Sequence, residues 1–189
     1  MKASEKLYFD SFREVVKAIH STLDIKEVLN ILVSKVAQVM DLKGCAIRLL
    51  DPNKRTLELV SSHGLSEKYL LKGPVEADRS ISEAMEGKTI SIYNAREDPR
   101  AQYKKEAAEE GIYSIISVPL SIKGRVIGVM RLYTAQSRSL LEDESKFIEA
   151  LAEMGAIAIE NARMYERIRK DYEDIMGDIS TFIGYRRSL

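Results

Sequence analysis

Apolar residues are most concentrated in residues 114–134, which read SIISVPLSIKGRVIGVMRLYT. Two β-branched and apolar runs flank Lys123-Gly124, and this pattern predicts a β-hairpin. Alternation between apolar and polar residues is weak in both runs, which indicates strands in the middle of a sheet that is covered on both faces. Gly124 supplies the positive φ that a tight connection between the strands needs.

Two helices are predicted before this hairpin. Apolar residues recur at helical spacing in residues 4–21, which predicts an amphipathic helix with one apolar stripe. Asp24 and Glu27 resemble a capping box, and they open a second helix that keeps the i, i+3, i+4, i+7 apolar pattern as far as Met40. The stripe of the first helix consists of Tyr8, Phe12, Val15 and Ile19.

Shorter elements are expected between the second helix and the hairpin. Turn residues Asp51-Pro52-Asn53-Lys54 join two apolar runs into another hairpin. Ser80 and Glu83 indicate a short helix that Ser80 caps. The expected elements are strands over 45–50, 56–62 and 89–93, a helical turn or loop over 65–74, and helices over 80–85 and 101–110.

A long helix is predicted from Glu142 onward, apolar on two faces in its first half. A seven-residue repeat runs along it in two sets of positions three residues apart, which is typical of a coiled coil. Asn161 is the kind of polar seam residue that fixes register in a two-stranded coil, so we predict a parallel homodimer. The seam consists of Leu151, Met154, Ala158, Asn161, Tyr165, Ile168, Tyr172, Ile175, Ile179 and Phe182.

The first helix is expected to join this dimer interface through Phe12 and Ile19. The alternative is an ordinary long helix whose second face covers the first helix, although large apolar side chains beyond residue 165 would then lie in water. Gly177 and Gly184 weaken the last turns. We divide the chain into an N-terminal helix over 1–21, a globular domain over 22–168 and a helical extension over 169–189.

The composition of the chain excludes several classes of function. The 189 residues include 29 Lys and Arg and 29 Asp and Glu, so the formal charge is zero, and no basic stripe indicates nucleic-acid binding. A single cysteine, Cys45, excludes an intramolecular disulfide framework and agrees with a reducing compartment. No apolar run has the length of a membrane span, and the first residues lack the apolar core of a signal peptide. We expect a cytoplasmic protein that binds neither nucleic acid nor membrane.

Residues suited to catalysis or metal binding are few. The spacing of His20, Cys45 and His63 matches no zinc pattern, so we expect no metal site. No nucleophile elbow or phosphate-binding glycine loop is present, and the carboxylates are scattered over helix faces, as is typical of a solvated surface. We therefore do not expect an enzyme.

Arg48 and Arg131 each interrupt an apolar strand, where a charge must be paired or reach water. Two interpretations are open: the arginines bind an anionic group of a ligand, or they pair with carboxylates such as Glu160 on the last helix. We favour the ion pairs. Ser114, Ser117 and Ser121 are expected on one face of the central strand, where they either line a polar pocket or permit close helix packing.

The order of elements, together with several short motifs, resembles the GAF domain, a ligand-sensing module of signalling proteins. The resemblance covers about residues 20–168. The motifs are SVPL and GRVIGV in the central hairpin, EDPR at Glu97–Arg100, and AIENAR in the last helix. It implies an α+β fold with a GAF-like (profilin-like) antiparallel sheet of five to six strands. The terminal helices would pack on one face, and short helices would roof a ligand pocket on the other.

The resemblance also implies candidate ligand contacts. Tyr93, Asn94 and Tyr103 lie in the segments that form the roof, where aromatic and amide groups stack on and hydrogen-bond a planar ligand. Arg48, Arg131 and Ser117 complete the candidate set. Cyclic-nucleotide-binding, bilin-binding and methionine-sulfoxide-reducing members carry residues that this chain lacks, and Cys45 has no resolving partner. The ligand and any cofactor therefore stay unidentified.

Three functions remain open. The first is a non-enzymatic sensory module in which ligand capture moves paired terminal helices and so signals to a protein partner. The second is a ligand-free dimerisation scaffold, in which side chains fill the space beneath the roof. The third is a redox enzyme of the methionine sulfoxide type, whose turnover would depend on Cys45. We favour the sensory module.

Overall fold

Helices and strands follow one another in the order that the sequence pattern predicts. The computed structural model describes residues 3–22, 24–51, 53, 55–77 and 81–186, and within these ranges it describes side chains from residue 6 to residue 177. The elements are α1 (Ala3–Ser21), α2 (Ile25–Val39), β1 (Gly44–Asp51), β2 (Thr56–His63), α3 (Glu67–Leu70), β3 (Val75–Glu76), α4 (Ser82–Met85), β4 (Ile90–Ile92), α5 (Lys104–Glu109), β5 (Ser114–Ile122), β6 (Arg125–Thr134) and α6 (Glu142–Arg186).

The strands of the described chain form one six-stranded sheet in the order β3-β2-β1-β6-β5-β4, and every neighbouring pair is antiparallel. The α+β class and the antiparallel sheet are therefore confirmed. β3 is only two residues long, and the sequence pattern did not predict it. Pro52 and Lys54 of the predicted β1–β2 turn lie outside the described residues.

The central hairpin has the predicted turn. Lys123 and Gly124 both have positive φ, at 48° and 77°, as a two-residue type I′ connection requires. β6 is buried from Ile127 to Thr134 without interruption, because helices cover one face of the sheet and loops cover the other. Because both faces are covered, apolar and polar residues alternate only weakly in the two strands of this hairpin.

The second and last helices pack on one face of the sheet, and the first helix packs on these two helices. Asp24 caps α2 by accepting a hydrogen bond of 2.8 Å from the Lys26 N–H. The rings of Tyr8 on α1 and Phe147 on α6 are stacked with centroids 4.6 Å apart, which joins the two terminal helices. The core on this face includes Leu29, Leu32, Ile47, Ile116, Val118, Leu120, Met130, Leu132, Ile148 and Leu151.

The opposite face is covered by the connecting segments between β2 and β5, residues 65–74, 77, 81–89 and 93–113, which we call the roof. Tyr69, Ala107 and Ile112 of the roof pack against Ala46 and Tyr133 of the sheet. A second cluster brings Val75, Ile81 and Ala84 together with Leu57 and Val129. The predicted cap of α4, Ser80, lies outside the described residues.

α6 is 45 residues long and continues through Gly177, where weaker turns were expected. One of the predicted interface residues is wrong: Leu151 is completely buried in the core of its own chain, between α6 and the sheet, so it cannot contact a partner. From Asn161 onward the seam residues are exposed instead, including Tyr165, Ile168 and Tyr172. Ile179 and Phe182 have side chains outside the described set. No helix in the described ranges is both long and apolar enough to cross a membrane.

Candidate functional site

Arg48 and Arg131 lie on neighbouring strands beneath the roof. β1 pairs with β6, and Arg131 stands opposite Ala46 on one side and Ser117 on the other, while Arg48 stands opposite Val129. Side chains alternate between the faces of a strand, so Arg131 shares the roof side with Tyr133. The two guanidinium groups are therefore diagonal neighbours on the face away from the helices.

The predicted ion pair with Glu160 is wrong. Glu160 lies on α6, on the helical face of the sheet, and its Oε1 atom is 4.0 Å from Nη2 of Arg125. Among the described residues, no carboxylate forms an ion pair with Arg48 or Arg131, although the two residues are only 3% and 4% exposed. Arg48 Nη1 donates to the Leu57 carbonyl at 3.3 Å, but Arg48 Nε, Arg48 Nη2 and Arg131 Nε have no partner.

Lys72 adds a third cation to this region. Its Nζ donates to the Tyr69 carbonyl at 3.0 Å and lies 3.7 Å above the centre of the Tyr69 ring. Burial, together with the nearby charges of Arg48 and Arg131, lowers the pKa of Lys72 to about 7. Sequence reasoning missed Lys72, since a lysine in a roof loop carries no pattern that marks it as partly buried.

Hydroxyl groups complete the site. Tyr133 is completely buried, and its hydroxyl has no hydrogen-bond partner among the described residues. The ring of Tyr133 meets that of Tyr69 edge to face, with centroids 5.7 Å apart. Ser117 is 2% exposed and stands directly opposite Arg131. Tyr133 was also missed, although its position two residues after Arg131 in the same strand is the signal that could have found it.

The serines of β5 do not share one face as expected. Ser114 and Ser117 are three residues apart, so they point to opposite sides of the strand. Ser114 is instead hydrogen-bonded to Thr134 and to the Gln136 carbonyl. A register shift between Leu120 and Ser121 separates Ser121 from the regular part of the ladder. Only Ser117 therefore belongs to the site.

The roof residues predicted to contact a ligand have other partners in this structure. Tyr93 is 54% exposed, and Asn94 Oδ1 accepts a hydrogen bond of 3.1 Å from the Arg96 N–H. The Tyr103 hydroxyl donates to the Pro74 carbonyl at 2.6 Å, and its ring centre is 5.7 Å from Lys72 Nζ. Ligand contact by these three residues stays a prediction, with Tyr103 nearest to the cations.

The EDPR motif holds the roof to the edge of the sheet. The Asp98 carboxylate accepts two hydrogen bonds from the Arg100 guanidinium, at 2.7 and 3.1 Å, and Arg100 also donates to the Ser91 carbonyl in β4 at 3.2 Å. These bonds keep the pKa of Asp98 below its ordinary value, chiefly through Arg100. We assign this motif a structural role in closing the roof.

Thiol and metal chemistry have little support at the site. Cys45 is completely buried on the helical face, and burial raises the pKa of its thiol above the ordinary value, which disfavours the reactive thiolate. Among the described side chains, no three His, Cys, Asp or Glu residues are placed so that they could hold a metal ion.

A separate groove of about 550 Å³ lies where the end of α1 and the start of α2 meet the second half of α6. Its walls are mainly apolar and include Ile19, Val28, Ala158, Tyr165 and Ile168. Four of the predicted interface residues besides Ala158 therefore line one surface, away from the roof: Ile19, Asn161, Tyr165 and Ile168.

Comparison with known proteins agrees with this fold. The family model described as "GAF domain" matches residues 22–160. The chain is 25% identical over 179 residues to the formate hydrogenlyase transcriptional activator of Salmonella typhimurium strain SL1344, covering 89% of this chain and 26% of that protein. It is 26% identical over 176 residues to the methyl sulfide methyltransferase-associated sensor of Methanosarcina acetivorans, covering 89% of this chain and 18% of that protein. The chain thus spans about a quarter or less of these relatives.

Solved structures with the same fold include the GAF domain of a phosphoenolpyruvate-protein phosphotransferase from Coxiella burnetii, with a TM-score of 0.76 at 17% identity, covering 88% of this chain and 99% of that one. The free methionine-R-sulfoxide reductase of Neisseria meningitidis, solved with its substrate, has a TM-score of 0.71 at 17% identity, covering 87% and 95%. These likenesses show the fold alone.

Proposed function

This chain belongs to the GAF domain family, and we propose that it is a non-enzymatic sensory module that binds a small molecule between sheet and roof and relays its presence through paired terminal helices. Its relatives include a transcriptional activator and a sensor, which supports a regulatory setting. The signal passes to a protein partner, or to further segments of the kind that make up most of each relative.

The observation that carries this proposal is the continuity of α6. The helix packs on β5 and β6 within the core, through residues such as Leu151, and then extends without a break to Arg186. At 1.5 Å per residue, the part from Asn161 onward is about 38 Å long. A displacement at the sheet therefore reaches the far end of a rigid rod.

The exposed side of this rod favours a second copy of the chain as its partner. Tyr165, Ile168, Tyr172 and Ile175 are 54–63% exposed, and they follow the alternating three- and four-residue spacing of a coiled-coil seam. Four large apolar side chains in one exposed stripe are unfavourable in water. A parallel homodimer covers it, brings Asn161 of both copies together and places Ile19 of α1 at the edge of the interface.

Light scattering tests the dimer. Tyr165→Glu with Ile168→Glu places two charges in each seam, and we expect the mass to fall from dimer to monomer. The matched control is Arg163→Glu with Lys170→Glu, two changes on the opposite side of the same helix, which should leave the mass of a dimer. A wild-type protein with the mass of one chain would refute the seam.

Thermal shift separates the sensor from the ligand-free scaffold. The scaffold has one point in its favour, since the groove of about 550 Å³ lies at α1, α2 and α6 rather than beneath the roof. A panel of cyclic nucleotides, amino acids and small carboxylates should contain at least one compound that raises the melting temperature of the sensor. Stabilisation by none of them, together with side chains filling the space beneath the roof, would favour the scaffold.

A redox enzyme is the third candidate, because a methionine sulfoxide reductase shares the fold. Its thiol-dependent turnover would have to vanish in Cys45→Ser. The complete burial of Cys45 and the raised pKa of its thiol oppose this function. We therefore propose that the chain is not an enzyme.

A further inference from the structure

The roofed face of the sheet holds positive charge without a matching negative charge. Arg48 and Arg131 are each more than nine-tenths buried, and neither forms an ion pair within the described part of the chain. Leaving a charged group buried and unpaired is strongly unfavourable. The hydrogen bond from Arg48 to the Leu57 carbonyl satisfies one donor and leaves Nε and Nη2 of the same guanidinium free.

Lys72 makes the imbalance larger. Its ammonium group is close enough to Arg48 and Arg131 for both to lower its pKa, so the three groups repel one another when all are charged. Glu106 and Glu110 act on Lys72 in the opposite direction but more weakly. Glu110 accepts hydrogen bonds from the backbone and hydroxyl of Ser66 and lies 3.9 Å from Lys43, so it already has partners of its own.

Neutral donors face the same region. The Tyr133 hydroxyl is buried and unpaired, and the ring of Tyr133 lies 5.9 Å from the guanidinium carbon of Arg131. Ser117 is the cross-strand neighbour of Arg131. Planar guanidinium donors supplemented by hydroxyl groups match the acceptor geometry of carboxylates and phosphates.

We propose that Arg48, Arg131, Lys72 and the Tyr133 hydroxyl form a binding site for a compact oxyanion, namely a carboxylate or phosphate group of a small molecule. This inference rests on the proposed sensor function and names the class of ligand that the sensor takes. The bound anion supplies the negative charge and the hydrogen-bond acceptors that the buried donors lack. Ser117 offers one further hydroxyl beside Arg131.

Thermal shift with inorganic phosphate and with sodium acetate tests the site, with potassium chloride at equal ionic strength as the reference. The two anions separate a preference for phosphate from one for carboxylate. We expect dose-dependent stabilisation of the wild type by at least one of them. In Arg48→Met and in Arg131→Met the apparent Kd should rise about tenfold or more, since each variant removes charged hydrogen bonds.

Arg125→Met is the matched control. Arg125 lies on the same strand as Arg131, but its side chain is 69% exposed and interacts with Glu160. This variant should respond to the anions as the wild type does. Stabilisation that persists unchanged in Arg48→Met and Arg131→Met would place the anion elsewhere and overturn the proposal.

The remaining outcomes of these experiments also support or overturn the oxyanion site. No stabilisation of the wild type by phosphate or acetate overturns the oxyanion site, and stabilisation by an uncharged compound such as a nucleoside, tested beside the panel, would at the same time preserve the sensor function. If either arginine variant fails to fold, the arginine Nε–Hε signals of the wild type are followed by NMR during a phosphate titration. Two buried arginine signals should shift together, and movement of exposed arginine signals alone would contradict the site.

Discussion

Met130 and Arg131 are consecutive residues of β6 that face opposite sides of the sheet. Met130 is completely buried in the core that holds α2 and α6, whereas Arg131 lies beneath the roof among unpaired donors. One peptide unit thus separates the proposed ligand site from the packing of the terminal helix. Because protein cores are close-packed, a shift of β6 that accompanies ligand binding has to be accommodated by α6.

Removing both buried arginines should not destabilise the ligand-free protein. For Arg48→Met with Arg131→Met we expect a free energy of unfolding that is unchanged or higher by about 1–4 kcal/mol, since a buried charge is exchanged for an apolar side chain of similar length. Urea denaturation in an anion-poor buffer measures this difference. A loss of more than about 2 kcal/mol would mean that the arginines are paired or structural.

Lys72 should make stability depend on pH. Its pKa in the folded protein, about 7, is lower than in the unfolded chain, so between the two values the unfolded chain binds a proton that the folded one does not. Above the unfolded pKa, Lys72 is neutral in both states, and the folded protein has its full stability with respect to this group. That stability is lost as the pH falls through about 7. Burial, Arg48 and Arg131 lower the pKa, while Glu106 and Glu110 raise it.

The comparison of wild type with Lys72→Met isolates this effect. Tyr69, Tyr103 and Cys45 also have raised pKa values, mainly through burial, but they titrate in both proteins and cancel in the difference. Urea unfolding at intervals from pH 6.5 to pH 9 should show the stability of the wild type rising relative to the variant. Parallel curves would show that Lys72 has an ordinary pKa.

The two halves of α6 should respond differently to truncation. Leu151→Ala opens a cavity in the core and should lower the free energy of unfolding by about 2–5 kcal/mol. Ile168→Ala changes a side chain that is 60% exposed, so it should leave the stability of one chain unchanged and weaken the dimer. Denaturation at low protein concentration measures the first effect, and sedimentation over a concentration series measures the second. Equal losses of core stability would contradict this division.

Cys45 should be inert in the folded protein. Its thiol is completely buried and its pKa is raised by burial, so a thiol reagent such as DTNB reacts only after unfolding. The rate of labelling in native buffer, compared with that in urea, checks this directly. Rapid labelling of the native protein would reopen the redox function.

Local sequence patterns were sufficient to predict most of the helices and strands, whereas the form of the sheet and the placement of helices on its faces were implied by the resemblance to the GAF domain. The central hairpin and α2 have strong signals, because apolar spacing, a capping carboxylate at Asp24 and the turn residue Gly124 all act within a few residues. β3 pairs over only two residues, so it had no pattern to detect. Its formation depends on the position of β2, which the sequence pattern does not reveal.

The candidate site was harder to predict because it depends on which face a strand residue takes. Arg48 and Arg131 were identified from their apolar neighbours, but the pairing with Glu160 required them to point toward α6, and they point to the roof. Leu151 fits the heptad as well as Tyr165 does, yet the first is buried in the domain and the second is exposed. Spacing alone does not distinguish a core contact from a seam.

The most direct measurement is an anomalous difference map from a crystal of the unlabelled protein grown with selenate, a tetrahedral oxyanion whose selenium atom identifies it. An oxyanion site predicts a peak beneath the roof, within hydrogen-bonding distance of the guanidinium groups of both Arg48 and Arg131. A map whose peaks lie only at exposed lysines and arginines, with the space between sheet and roof empty of selenium, would contradict the account.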